Sequence, residues 1–454
     1  MLPEWAQSEG IEPLLDRLQA ANVSDIATSP YVMEPSDEGT REPPADAGSG
    51  RVRLLDRALW GRREIKVRTA TSFVSDKSLY LKTTYQPPEP DLLTEAQGHV
   101  VADFVQQAKR RGLKVWFQVQ SAIPPGYRVQ FGGPSENDRP LGPDGTAGPS
   151  RVDANASLAA PDVLEYGQAM MKDLARAYPD IDGIRLDWPE YPPYHAHALF
   201  FDFNPSALAV AHGLGLDVDR MQIHAGQLQD RLKNGLDNAT LSQVRALDAD
   251  YLALALADYP GVADLITLRR HLALEMLKAY RTALPKHMAL VPQTFPPPFH
   301  LLSGFDLGAA APLVQGIGVK FYTMHWPMIL SDYARSMSGG AADGKAIAQA
   351  LVTALGTGEK PPSDAAQFHY PEPDEVHTAS SEAITRKIVS ARNQTGKCPV
   401  YAFTHAYGPL DDVMRRARAC WEASGGKMWV NRYGYMSNDK ISAFGNLVKS
   451  SGQG

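Results

Sequence analysis

Residues 182–194 read DGIRLDWPEYPPY, and the alternation of apolar and charged side chains in this stretch is the clearest indication of the fold. Successive side chains of a β-strand point to opposite faces. The strand predicted over Gly183–Trp188 therefore has isoleucine, leucine and tryptophan on one face, and Arg185 and Asp187 on the other. In a parallel strand covered by helices, we expect Arg185 and Asp187 to point into a barrel, near the C-terminal end of the strand.

Short apolar segments alternate with helix-periodic segments on both sides of this stretch, and eight strands are predicted. They are Ser24–Tyr31, Ser78–Thr84, Lys114–Gln120, Gly183–Trp188, His287–Gln293, Gly316–Met324, Pro399–His405 and Lys427–Arg432. Strands that alternate with helices indicate a parallel sheet, and eight such strands close a barrel. We therefore expect an α/β fold, a single (β/α)8 TIM-type barrel domain over residues 1–454. A doubly wound open sheet is the structural alternative.

Two segments interrupt the alternation. Residues 36–75 follow the first strand and become strand-like at Val52–Leu55 and Glu64–Thr69, which predicts a small β-excursion over the barrel mouth. Residues 204–285 are rich in helix-periodic patterns and predict a helical insertion between strands 4 and 5.

Composition excludes several classes of partner. The formal net charge is −6, from 45 basic and 51 acidic residues, and no run of lysine and arginine suggests nucleic acid or an anionic membrane as a partner. Two cysteines are too few for a disulfide framework. No dinucleotide, Walker or serine-hydrolase motif is present, so no cofactor is expected. We expect a cytoplasmic protein, or a secreted one if a signal peptide was removed from the given chain.

The strand Gly183-Ile184-Arg185-Leu186-Asp187 resembles the fourth-strand signature of the α-amylase superfamily, Gly-x-Arg-x-Asp. This resemblance implies that Asp187 is a catalytic nucleophile and that Arg185 holds it ionised. The preceding segments Val152–Asn155 and Pro161–Tyr166 resemble glycoside-hydrolase-like (β/α)8 barrel proteins. The resemblance spans about 45 residues, roughly 150–195, and implies a glycoside hydrolase or transglycosylase that acts on an oligo- or polysaccharide.

The rest of the chain departs from the amylase pattern. The third strand lacks the usual Asp and Asn-His, the fifth ends in Gln293-Thr294 without a glutamate, and the seventh ends in His405-Ala406 rather than His-Asp. Asp187 therefore carries over as a candidate nucleophile, whereas the proton donor does not.

A second carboxyl group is needed to cleave a glycosidic bond by the usual route. Glu190 follows Asp187 by three positions in a proline-flanked turn and is the first candidate for the catalytic acid/base, although residues so close in sequence would have little room to straddle a substrate. Glu34, after the first strand, is the second. Glu89 and Asp91 are third choices that fit solvated or helix-capping acids equally well.

Aromatic and uncharged polar residues are concentrated at the predicted strand ends, a combination that suits a neutral sugar, although any single aromatic residue is more often core. Lys82 lies inside the predicted second strand, where it could form a Schiff base if desolvated, or more simply an ion pair. The candidate substrate-binding residues are Arg185, Trp188, Tyr31, Lys82, Gln118, Gln120, Gln293, Tyr322, His325, Trp326, His405, Asn431 and Arg432.

Two other functions stay open at this level. The missing fifth-strand acid is compatible with a carbohydrate-binding barrel without catalysis. His195-Ala196-His197 and His405 suggest a metal-assisted sugar isomerase or lyase, but a His-x-His pair alone does not establish a site, and no metal is expected.

Overall fold

The computed structural model describes residues 3–43, 51, 53–149 and 154–451, and it contains nine strands within those ranges. In chain order they are β1 (Asp25–Thr28), β2 (Tyr31–Glu42), β3 (Ile65–Thr71), β4 (Lys114–Gln120), β5 (Gly183–Asp187), β6 (Ala289–Thr294), β7 (Ile317–Phe321), β8 (Val400–His405) and β9 (Met428–Asn431).

Seven of these strands form one parallel sheet in the order β1-β4-β5-β6-β7-β8-β9. The sheet curls until side chains from distant strands meet: the ring of Trp116 on β4 packs edge-on against Trp429 on β9, with centroids 6.2 Å apart. Arg185 on β5 reaches the ring of Phe403 on β8. These contacts cross the interior of the curled sheet, so the predicted α/β barrel is confirmed.

The prediction of a strand over Ser78–Thr84 is wrong, and the parallel sheet has seven strands instead of eight. Lys77–Tyr80 is a 3-10 helix, and β1 pairs directly with β4. Tyr80 is fully buried against Tyr166, whereas Leu81 is 82% exposed. The alternation of side chains suggested a strand with Leu81 buried. In the structure Tyr80 is the buried residue of this segment, so Leu81 points into solvent.

The other strands, β2 and β3, form an antiparallel hairpin in the segment predicted as a β-excursion. Its first strand, Tyr31–Glu42, begins directly after β1 and was not predicted as a strand, because its outer half is polar. In the predicted strand Val52–Leu55, Val52 lies outside the described residues and Leu55 is not in a strand.

Helices flank the parallel strands. Before and within the first crossovers they are α1 (Pro3–Glu9), α2 (Ile11–Ala20), α3 (Leu92–Gln97), α4 (His99–Arg110) and α5 (Pro161–Ala177). Between β5 and β6 come α6 (Pro205–Gly213), α7 (Val218–Asn234), α8 (Asn238–Leu241), α9 (Ala249–Ala255) and α10 (Pro260–Ala283). The later helices are α11 (Phe299–Ser303), α12 (Leu307–Ala310), α13 (His325–Ser336), α14 (Gly344–Leu355), α15 (Ser381–Thr395), α16 (Leu410–Ser424) and α17 (Asn438–Ser451).

The alternation of β5 places its residues as the sequence suggested. Ile184 and Leu186 are fully buried on the helix-facing side, while Arg185 and Asp187 point inward. Gln120 on β4 and Gln293 on β6 are the register partners of Asp187. None of the helices in the described ranges is both long and apolar enough to cross a membrane.

Candidate active site

Asp187 ends β5 at the carboxyl edge of the parallel sheet. Its Oδ1 lies 2.6 Å from the Nζ of Lys320, and its Oδ2 accepts a hydrogen bond of 3.1 Å from the Nε2 of Gln118. The Asp187 side chain keeps 11% of its surface exposed. A nearly buried carboxylate is stable only when it is paired and hydrogen-bonded, and these two contacts supply both requirements.

Lys320, on β7, is a site residue that the sequence analysis missed. Its side chain is 3% exposed, and its Nζ lies 5.0 Å from the ring centroid of Trp188 and 5.2 Å from that of Phe295. A lone lysine between Val319 and Phe321 in an apolar strand is the signal that could have identified it. The ammonium group is thus enclosed by two aromatic rings and the Asp187 carboxylate.

The turn after β5 directs the next carboxyl group back into the protein. Trp188 has a positive φ of 52°, a left-handed conformation that side chains other than glycine rarely adopt. Its carbonyl accepts hydrogen bonds from the hydroxyl of Ser121 and from Nδ2 of Asn155, and Asn155 also donates to the carbonyl of Glu190 at 3.0 Å. The buried Asn155 therefore holds both ends of the turn. The neighbouring Val152 and Asp153, quoted for the resemblance, lie outside the described residues.

Glu190 is completely buried beneath this turn. Its Oε2 accepts hydrogen bonds from the hydroxyls of Thr294, at 2.5 Å, and Ser303, at 2.6 Å. Burial raises the pKa of Glu190 from 4.5 to about 7, although Lys320 and the two hydroxyls oppose the rise, and the negative charge of Asp187 adds to it. Oε1 has no hydrogen-bond partner among the described residues, so it is the oxygen free to carry a proton.

Arg185 lies one inward position below Asp187. Its guanidinium carbon is 4.4 Å from the ring centroid of Phe403 and 4.3 Å from that of Trp429. Burial lowers the pKa of Arg185 to about 10, and the nearby Tyr322 hydroxyl and Asp187 carboxylate partly oppose this decrease. The resemblance gave Arg185 the task of holding Asp187 ionised; in the structure Lys320 makes the direct ion pair, and Arg185 contributes its charge from below.

Several polar atoms around Asp187 are buried without a hydrogen-bond partner in the described part of the chain. They are both amide atoms of Gln293, Oε1 of Gln120 and the indole nitrogen of Trp188. Buried polar groups are normally hydrogen-bonded to protein, water or ligand. These groups are consequently the ones best placed to receive hydroxyl groups of a ligand.

Aromatic rings line the strand ends opposite β5. Tyr322 packs against His405, with centroids 5.4 Å apart, and against His325 at 5.9 Å. His325 also contacts Tyr194 at 5.4 Å. Burial, reinforced by the charge of Asp187, raises the pKa of the Tyr322 hydroxyl, which therefore stays protonated at neutral pH. These rings thus form one contacting group, in which Tyr322 is within electrostatic reach of Asp187.

With this geometry in place, comparison with known proteins is informative about the fold. No family model matches the chain, and no curated protein does. Among solved structures, a β-galactosidase from the psychrophilic Marinomonas ef1 is similar, with a TM-score of 0.51 and 11% identity over 99% of this chain and 58% of that one. The chain has a glycosidase-like barrel fold. It spans under two thirds of that β-galactosidase, and at this identity the likeness concerns the fold alone. A class V chitinase from Pseudomonas fluorescens Pf-5 also matches, with a TM-score of 0.38 and 10% identity over 78% of this chain and 87% of that one.

Two predicted site residues lie away from Asp187 in the glycosidase-like barrel. Glu34 is on the hairpin strand β2, 43% exposed and ion-paired with Arg68. Lys82 is an exposed residue in the turn after the 3-10 helix Lys77–Tyr80. It therefore lacks the buried environment that would activate a lysine for Schiff-base chemistry. Both assignments depended on strand boundaries that the structure does not have.

Trp326 is also separate from the Asp187 group. It is 2% exposed, and its ring packs against Phe299, with centroids 6.1 Å apart. The Nζ of Lys387 on α15 lies 5.2 Å from the Trp326 ring. Trp326 is therefore a core residue between helices of the glycosidase-like barrel, and it cannot present a face to a sugar.

Tyr31 and Arg432 belong to a second buried polar group. Glu42, at the end of β2, forms ion pairs with Arg128 and Arg432, and Arg128 donates to the hydroxyl of Tyr31 at 3.3 Å. This group ties the hairpin to the loop after β4 and to the end of β9. Asn431, the last residue of β9, accepts the backbone N–H of Ala406 through its own carbonyl.

The histidines considered for metal binding have separate partners. Nδ1 of His195 lies 2.9 Å from Asp332, and Nε2 of His197 lies 3.2 Å from the carbonyl oxygen of Thr146. Within the described ranges, no three His, Cys, Asp or Glu side chains are grouped to hold a metal ion.

Proposed function

We propose that the protein is a glycosidase that hydrolyses O-glycosyl bonds with Asp187 and Glu190. One observation carries the proposal: a single turn brings together one carboxyl group that is ion-paired with a lysine and a second that is completely buried. Asp187 is ion-paired with Lys320, whereas burial raises the pKa of Glu190 to about 7. Two carboxyl groups in such different environments can supply one proton donor and one carboxylate at the same pH.

In the proposed reaction, Glu190 donates its proton from Oε1 to the glycosidic oxygen as the bond to the anomeric carbon breaks. The Asp187 carboxylate faces the sugar and stabilises the positive charge that develops on its ring. Gln120, Gln293 and the indole N–H of Trp188 supply unpaired polar groups for sugar hydroxyls. The oxygen of a water molecule then bonds to the anomeric carbon. One proton of that water returns to Glu190, and the other stays on the new sugar hydroxyl.

The test is product release from α- and β-linked oligosaccharides and aryl glycosides by the wild type, Asp187→Asn and Glu190→Gln. Asp187→Asn should abolish release from every substrate. Glu190→Gln should lose about 10²–10⁴-fold on oligosaccharides, the usual contribution of a general acid. It should lose much less on dinitrophenyl glycosides, because that leaving group departs without a proton.

Glu34→Gln is the matched control, because Glu34 is a carboxylate on the hairpin whose partner is Arg68. It should retain wild-type turnover. Full activity of Asp187→Asn, or equal losses of Glu190→Gln on both substrate types, would contradict the assigned roles.

A second candidate function is saccharide binding without turnover. The observation in its favour is that Lys320 already neutralises Asp187 at 2.6 Å. It predicts that isothermal titration calorimetry detects oligosaccharide binding while no panel substrate is cleaved, and that Asp187→Asn binds as well as the wild type.

A further inference from the structure

Lys320 is placed to act on both carboxyl groups of the candidate site. Its Nζ lies 2.6 Å from Oδ1 of Asp187, and it is the charged group that most strongly opposes the effect of burial on Glu190. Val319, the preceding residue of β7, is the register partner of Thr294, whose hydroxyl donates to Glu190. The lysine therefore comes from the strand next to the one that supports the second carboxyl group.

The surroundings of this ammonium group make its charge effective. The rings of Trp188 and Phe295 lie 5.0 and 5.2 Å from Nζ, and the side chain is 3% exposed. Charges interact more strongly where water and salt do not screen them. A surface lysine at the same distance would influence Asp187 far less.

We infer that Lys320 is the positioning residue of this site: its ammonium group fixes the Asp187 carboxylate and limits how strongly the buried Glu190 holds its proton. The assignment of catalytic consequences rests on the proposed glycosidase function, whereas the electrostatic part does not. A lysine that merely filled the barrel interior would affect stability and leave the titration of Glu190 unchanged.

Other charged and polar groups face the pair, and the test must hold them constant. Glu190 is approached by Thr294 from β6, Ser303 from α11 and Asp187 from β5. The buried Arg269 of α10 is also within electrostatic reach of Glu190. The remaining groups facing Asp187 are Gln118, Arg185 and Tyr322. Only Lys320 is ion-paired with Asp187 among the described residues, so a neutral substitution there isolates the shared charge.

The experiment follows the protonation of Glu190 by difference infrared spectroscopy, using the carboxyl band that Glu190→Gln removes. In Lys320→Met the midpoint should rise by about one pH unit or more, since a neighbouring opposite charge typically shifts a carboxyl pKa by about 1–3 units. Lys320→Arg keeps the charge and should stay close to the wild type.

Lys387→Met is the matched control. Lys387 is also a fully buried lysine between two aromatic rings, but its Nζ donates to the carbonyls of Pro297 and Leu355 rather than to a carboxylate. Its removal should leave the Glu190 midpoint within about 0.3 pH units of the wild type. An equally small change in folded Lys320→Met would overturn the inference. If that variant does not fold, Lys320→Gln gives the same comparison.

The catalytic part is read from the pH profile of kcat/KM on any glycoside that the wild type cleaves. The basic limb should follow the Glu190 midpoint upward in Lys320→Met. An infrared shift in a protein that cleaves no glycoside would refute the proposed function and support the inferred effect of Lys320 on Glu190. If the protein cleaves glycosides but Lys320→Met shows no infrared shift, the inference about Lys320 is refuted and the proposed glycosidase function stands.

Discussion

Glu190→Gln should make the protein more stable at pH 8 and leave its stability nearly unchanged near pH 4.5. Glu190 is completely buried, and burial raises its pKa from 4.5 to about 7. Glutamine has the same shape, stays neutral at every pH and can still accept the hydroxyls of Thr294 and Ser303. The substitution therefore removes only the titration.

The sign follows from proton binding in the two states. Between pH 4.5 and about 7 the folded protein keeps the Glu190 proton, whereas the unfolded chain releases it. The folded state binds more protons, so the free energy of unfolding falls as the pH rises through this interval and is level above it. The stabilising contribution is present below the unfolded pKa and is lost as the pH passes the folded pKa.

The size of the effect follows from the width of the interval. The shift spans roughly 2.5 pH units, and each unit corresponds to about 1.4 kcal/mol, so the wild type should lose about 3 kcal/mol relative to Glu190→Gln. Such a difference is a large fraction of the stability of an ordinary domain.

Urea unfolding followed by circular dichroism, at half-unit steps from pH 4.5 to 8, measures the difference directly. Glu34→Gln is the control, since its half-exposed pair with Arg68 should contribute no more than about 1 kcal/mol. A difference between wild type and Glu190→Gln that does not change with pH would refute the buried, titrating carboxyl group.

Three further predictions concern the supports of the barrel. Burial lowers the pKa of Lys387 to about 7, so between pH 7 and 9.5 the unfolded chain binds a proton that the folded protein has released. The free energy of unfolding of the wild type should therefore rise by about 3 kcal/mol over this interval. Lys387→Met should lack this rise in urea titrations. Asn155→Ala leaves the carbonyls of Trp188 and Glu190 without its donor and should cost about 1–3 kcal/mol by thermal denaturation, with reduced turnover; full activity would show that the turn holds itself. Glu42→Gln deprives the buried Arg128 and the partly buried Arg432 of their carboxylate and should cost about 3–5 kcal/mol, whereas a loss below about 1 kcal/mol would mean that water already solvates them.

The fold was largely predictable because its signal is local. The strand-to-helix alternation identified the parallel strands, and the period of two in β5 placed Arg185 and Asp187 inside. The error at Ser78–Thr84 has a physical cause: Tyr80 is buried by tertiary contacts with Tyr166 and Asp173, which a pattern of alternating residues cannot register.

The candidate site was predictable only where its residues adjoin β5. Asp187 and Glu190 were identified because they share the stretch DGIRLDWPE, and both are buried in one turn. Glu34 and Trp326 were assigned from positions near predicted strand ends, and Lys82 from a position inside a predicted strand. Neither kind of position determines the direction of a side chain. Glu34 has an ion-pair partner on the hairpin, Lys82 is exposed, and Trp326 is packed between helices.

The properties of the two carboxyl groups depend on residues that lie far from them along the chain. Asp187 and Glu190 are three residues apart, yet one is paired with Lys320 and the other with Thr294 and Ser303. These partners come from β7, β6 and α11, and the register of the parallel sheet brings them to the same end of the barrel. The motif in β5 accordingly specifies where a carboxylate lies, whereas other strands and α11 supply the partners of the two carboxyl groups. A chain with the same GIRLD strand and an uncharged residue at position 320 should therefore keep the fold, lose the ion pair of Asp187 and hold the Glu190 proton to a higher pH than this protein does.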